Sequence, residues 1–149
     1  MKQRVTGIGG IFFKAEDPKK LGAWYKKHLG IPVEEWGGWG FRWRDAKNPK
    51  KSGHTIWSPF GADTDYFKPS KKPFMVNLRV DNLKRVLAEL KREGIAVDPK
   101  VEESEFGKFS WIMDPEGTRI ELWEPPVEKP KKKSAKKAPK KKAKTVAKP

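Results

Sequence analysis

One carboxylate stands out by its neighbours. Glu121 lies between Ile120 and Leu122, so in an extended strand it points to the face opposite two core aliphatics. A carboxylate placed so is either a general base or ligand contact, or a structural group satisfied by Arg119 or a tyrosine. Histidine occurs twice. His28, before Leu29-Gly30 at the end of a helical stripe, reads as a favourable cation at a helix C-terminus. His54 opens a strand pattern and is either structural or functional. Trp39, Phe41 and Trp43 alternate with Gly40, Arg42 and Arg44, the period of a strand with one aromatic side. That side is core or subunit contact, or else a stacking wall for a planar ligand. Cysteine is absent, which removes disulfides and thiolate chemistry.

The elements that must position these residues occupy only part of the 149-residue chain. From Val127 onward there are eleven Lys, one Glu and no Leu, Ile, Phe, Trp or Tyr, a net charge of +10 within the chain's +15. All seven Trp and all eight Phe precede it. This composition predicts one globular domain over 1–126 and a disordered Lys/Ala/Pro tail over 127–149. In the tail Lys131, Lys132, Lys133, Lys136, Lys137, Lys140, Lys141 and Lys142 can meet phosphates but lack an aromatic or Arg to read bases. Any nucleic-acid contact there is non-specific, and a plain solubilising role fits equally well. No signal-peptide or membrane-length apolar run occurs, so a cytoplasmic protein without a membrane partner is expected.

Strand character runs over Ile8 to Ala15; Asp17-Pro18 then supplies an N-cap and a first-turn Pro. Leu21, Trp24, Tyr25 and Leu29 form a helical stripe that Gly30 ends. The pattern recurs: strand Met75 to Val80, cap at Asp81-Asn82, stripe Leu83, Val86, Leu87 and Leu90, stop at Gly94. Asp17 and Asn82 are offset by 65 residues, Gly30 and Gly94 by 64, which marks an internal repeat. Strands follow each helix: 33–36, 39–44 and 54–58 in the first unit, 97–101, 106–113 and 118–123 in the second. A Gly37-Gly38 turn and an Asp114-Pro115-Glu116-Gly117 turn join two of the pairs. Loops are expected over 48–53 and 62–72. The order is βαβββ twice, an α+β fold of paired modules.

Gly7-Ile8-Gly9-Gly10-Ile11-Phe12-Phe13, Asp17-Pro18, Trp24-Tyr25 through Gly30-Ile31, Leu78 to Leu83, Gly94-Ile95 and Trp111 to Trp123 occur in that order. Over roughly 4–126 this set resembles the vicinal-oxygen-chelate superfamily, the glyoxalase, bleomycin-resistance and dioxygenase proteins. The resemblance implies a metal held by one residue from the first and last strand of each unit. Those positions fall on Gly10, on Met75, on Ile56 or Trp57, and on Glu121; three of the four are not ligands. His54 and Ser58 lie near the third position. No cofactor is therefore expected, and a divalent metal only if Glu121 and His54 hold it. The resemblance also implies a cup between the units, with Glu121 as its catalytic or contact group. Phe12, Lys14, Trp57, Asn77, Arg79, Arg119 and Trp123 would line it, an aromatic and positive site for a planar organic anion. Metal-free binding of such a small molecule is the leading expectation. Its alternatives are a lyase, isomerase or dioxygenase with a rebuilt metal site, and a nucleic-acid-associated protein tethered by its tail. Whether the protein is an enzyme stays open, and a homodimer is expected.

Overall fold

The computed structural model describes residues 2–127; the disorder and the phosphate contacts expected of the tail lysines fall on residues 128–149, outside them. Strand β1 (Val5–Ala15) is followed by helix α1 (Pro18–Leu29), β2 (Trp39–Arg44) and β3 (Ser52–Gly61). The second unit is β4 (Phe74–Val80), α2 (Leu83–Arg92), β5 (Glu102–Ser104), β6 (Gly107–Met113) and β7 (Arg119–Glu124). All seven strands form one sheet in the order β2-β3-β1-β4-β7-β6-β5, so the units meet edge to edge through β1 and β4.

The helix ends follow the sequence signals. The Asp17 side chain accepts from the Lys20 N–H at 3.0 Å, and that of Asn82 from the Arg85 N–H at 3.0 Å. At the end of α2, Gly94 adopts φ +81°, and the N–H groups of Gly94 and Ile95 bond the carbonyls of Lys91 and Leu90. That pairing uses up carbonyls the helix cannot satisfy itself. Arg4, just before β1, clamps the same helix through Glu89 at 2.9 Å and Glu93 at 2.5 Å.

Two expected strands do not form as read. Residues 33–36 make a local turn, with Glu34 N–H bonded to Gly38 O and Gly37 N–H to Glu34 O. The backbone closes on itself there and Trp36 folds onto the core, so the first unit has three strands. Over 97–101 only Val97 pairs, in a single bridge to Ile112. Pro99 brings no N–H to a ladder, and the strand begins at Glu102 instead.

One face of the sheet carries both helices. Val80, Leu83, Val86, Leu87 and Leu122 form a buried cluster beneath α2. Under α1, Trp57 packs against Tyr25 at 4.8 Å and Phe13 at 5.5 Å between ring centroids. The helix-free face buries a second cluster of Phe12, Ile56, Phe60, Phe67, Met75, Phe109, Trp111 and Trp123. Phe67 comes from the segment between β3 and β4, which brings Tyr66 with it onto this face. Among the described residues no helix is long and apolar enough to cross a membrane.

Candidate functional site

Register fixes what can meet at the centre of the helix-free face. In the antiparallel seam Gly10 pairs with Asn77 and Phe12 with Met75. The 65-residue repeat makes Met75 the counterpart of Gly10, and Asn77 that of Phe12. The two pairs therefore exchange under an approximate twofold axis running between them. On the outer sides Asn77 pairs with Glu121, and Phe12 with Ser58. Ser58, rather than Ile56 or Trp57, is thus the first unit's counterpart of Glu121. Alternation within one strand could not settle that register, because it is set by the spacing of β3 against β1.

Glu121 is 2% exposed, and its carboxylate accepts from three donors. Asn77 Nδ2 donates to Oε1 at 2.7 Å, Trp111 Nε1 donates to Oε2 at 3.0 Å, and the Tyr66 hydroxyl also donates to Oε2. Burial pushes the carboxyl above the ordinary carboxylate range, while hydrogen bonds from Tyr66, Asn77 and Trp111 pull it back down. Burial likewise drives the Tyr66 phenol upward, which keeps it a proton donor to Glu121. A tyrosine satisfies Glu121, as the structural reading of its sequence setting anticipates. Tyr66 and Trp111 were not legible as its partners: one sits in a loop without periodicity, the other reads as strand core.

The remaining expected residues divide by face and by engagement. Phe12 and Trp123 are buried in the aromatic cluster, and Lys14 lies over the Phe67 ring at 6.0 Å. Arg119 packs over Trp111 at 4.9 Å, donates to the Tyr66 carbonyl and approaches Asp98 at 3.5 Å. Arg79 lies over Trp43 at 5.4 Å and donates weakly to Ser52 O at 3.4 Å; its buried Nε has no hydrogen-bond partner. Asn77 Oδ1 and Ser58 Oγ are also buried without partners. Trp57 points to the opposite, α1 side and does not join this set. His54 packs on Trp123 at 5.6 Å between ring centroids, whereas His28 lies against Trp24 on α1. A separate open groove of about 500 Å3 lies where β1 passes into α1, lined by Phe13, Lys14, Asp17, Lys20, Leu21 and Trp24 among others.

The residues at the four superfamily ligand positions do not fit a divalent cation. Gly10 has no side chain, and a Cβ there would meet the Phe12 ring at 2.8 Å, so an aromatic ring fills that space. Met75 offers a buried thioether, Ser58 a hydroxyl, and Glu121 a carboxylate already taken by three donors. Hard cations need several carboxylate, imidazole or carbonyl ligands. Among the described residues no group of three His, Cys, Asp or Glu is placed to hold a metal ion.

Residues 10–123 match the model of the glyoxalase-like domain family, and the chain belongs to that family. Its fold is shared with the glyoxalase/bleomycin resistance protein/dioxygenase superfamily. A member of that superfamily from Vibrio splendidus is 9% identical over 79% of this chain and 97% of its own, with a TM-score of 0.53. Methylmalonyl-CoA epimerase from Streptomyces coelicolor, in complex with 2-nitronate-propionyl-CoA, is 14% identical over 83% of this chain and 99% of its own (TM-score 0.59). The epimerase from Mycobacterium tuberculosis is 17% identical over 85% and 93%, with a TM-score of 0.54. At such identities the likeness is one of fold. No curated protein matches the sequence.

Proposed function

We propose that this glyoxalase-like protein binds a small planar organic anion on the helix-free face, without a metal ion. The observation that carries the reading is Arg79. It lies on an aromatic ring, belongs to no ion pair among the described residues, and keeps a buried N–H without an acceptor. A ligand carboxylate or phosphate would supply that acceptor, and a guanidinium offers it a forked donor pair. The one carboxylate at the centre of the face, Glu121, is turned inward to its own donors and does not compete for the cation. At ~4 Å a unit charge pair is worth about 4 kcal/mol at an intermediate dielectric before desolvation offsets most of it, enough to choose the sign of a ligand. A homodimer in the cytoplasm belongs to the same proposal; exposed Ile8 and Ile11 on β1 and Phe74 on β4 support the self-association.

A thermal-shift series tests the ligand class with benzoate, phenyl phosphate and benzylamine. Stabilisation by the two anions in the native chain, lost in Arg79→Ala, is the expected outcome. Stabilisation by the amine alone would reject the proposal, as would an anion effect that survives Arg79→Ala. Elemental analysis after growth with added Mn, Ni, Zn and Fe should find well under one metal per chain.

A further inference from the structure

The β2–β3 hairpin carries an exposed edge outside the proposed small-molecule site, in which Trp43 alone of its β2 residues takes part, beneath Arg79. β2 is an edge strand, with hydrogen-bonded neighbours on one side only. Along it Arg42 and Arg44 are exposed, and between them and Gly40 stand Phe41, 43% exposed, and half-buried Trp43. The loop that follows adds exposed Lys47, Lys50 and Lys51. Its single carboxylate is Asp45, which is spent on the backbone: Oδ1 accepts from Lys47 N at 2.7 Å and Asn48 N at 3.1 Å. Further bonds, Asp45 N–H to Lys51 O, Lys51 N–H to Asn48 O and Arg44 Nη1 to Pro49 O, hold the loop in one shape. Lys51 is paired with Asp81 at 3.1 Å. Arg42, Arg44, Lys47 and Lys50 enter no ion pair among the described residues.

We infer that this hairpin is a contact surface for single-stranded nucleic acid. A run of cations with no carboxylate among its free groups matches a polyphosphate backbone. An exposed ring within that run gives a base a face to stack on, which a duplex keeps covered. An edge strand can be reached from both of its faces, so Phe41 and the arginines serve one polymer lying along it. The cation density also guards the open edge against pairing with another strand, a use fully compatible with the contact. The surface is distinct from the lysine tail, which has no ring and no Arg.

Fluorescence anisotropy of the full chain with a labelled twenty-nucleotide oligo-dT and with a duplex of equal length tests the inference, since every variant keeps the tail. Phe41→Ala should weaken oligo-dT binding by roughly fivefold or more and leave the duplex unaffected. Phe41→Tyr, which keeps a stacking ring, should retain the native affinity. Arg42→Ala/Arg44→Ala should weaken both ligands and reduce the salt slope for oligo-dT by about 1.4, two phosphate contacts at about 0.7 each. Far-UV circular dichroism checks that the exposed substitutions leave the fold intact. Variants that bind oligo-dT like the native chain would overturn the inference, as would absence of binding at low salt. Displacement of oligo-dT by polyglutamate at equal charge concentration would also overturn it, pointing to an acidic protein partner instead.

Discussion

Glu121 draws its environment from three elements, and its protonation is the property most open to measurement. A carboxyl whose folded value is raised binds its proton more tightly in the native chain than in the unfolded one. Its ionisation therefore costs stability above the unfolded value near 4.5, and the cost disappears as pH falls toward that value. Glu121→Gln removes the titration and can keep the Tyr66 and Trp111 donors on its amide oxygen. Its NH2 can then meet Asn77 if that amide turns its unpartnered Oδ1 inward. Chemical denaturation should thus find the native chain gaining stability relative to Glu121→Gln between pH 7.5 and 5. A constant difference across that range would show that Glu121 titrates normally. Glu121→Ala, which strands three donors, is expected to cost about 2–4 kcal/mol at either pH. That Glu121 faces away from the aliphatic core was legible from its alternation with Ile120 and Leu122. The phenol that caps it was not, because Tyr66 lies in a segment whose placement depends on tertiary packing alone.

In β1 the glycines are set by close approach rather than by turns. Its register slips between Ile8 and Gly10 against β4, so Gly9 is an extra residue in the ladder. A Cβ at Gly9 would fall 2.2 Å from Asn77 Oδ1 and 2.8 Å from the Trp123 ring. Gly22 in α1 is different, since a Cβ there would meet only Val33 at 3.4 Å. Gly9→Ala is expected to destabilise by about 2–4 kcal/mol through overpacking. Gly22→Ala should be neutral or stabilise by up to about 1 kcal/mol, through helix propensity. Urea titrations that ranked the two alike would contradict this packing. Both helices, their caps and the repeat were readable because capping residues and 3.6-residue stripes are local signals. The missing strand at 33–36 and the displaced one at 102–104 were not, since β pairing is decided by which partner the chain can reach. The same limit hid Ser58 as the mate of Glu121.

The whole molecule divides its charge unevenly, with +10 of +15 beyond residue 126. A chain ending at Pro126 is expected to melt at the same temperature as the full chain and to lose most of its salt-sensitive binding to duplex DNA. Equal duplex affinity with and without the tail would show that the folded part carries that binding. Across the seam of β1 and β4 the two halves are matched in backbone and unmatched in chemistry: Gly10 answers Met75, Phe12 answers Asn77, and Ser58 answers Glu121. A guest whose own two ends are alike would therefore find them in unequal company, one near an apolar wall and the other near an amide and an acid. Were the proposed binding to take place there, that inequality would give the guest a head and a tail, and distinguish left from right in a molecule that by itself has neither.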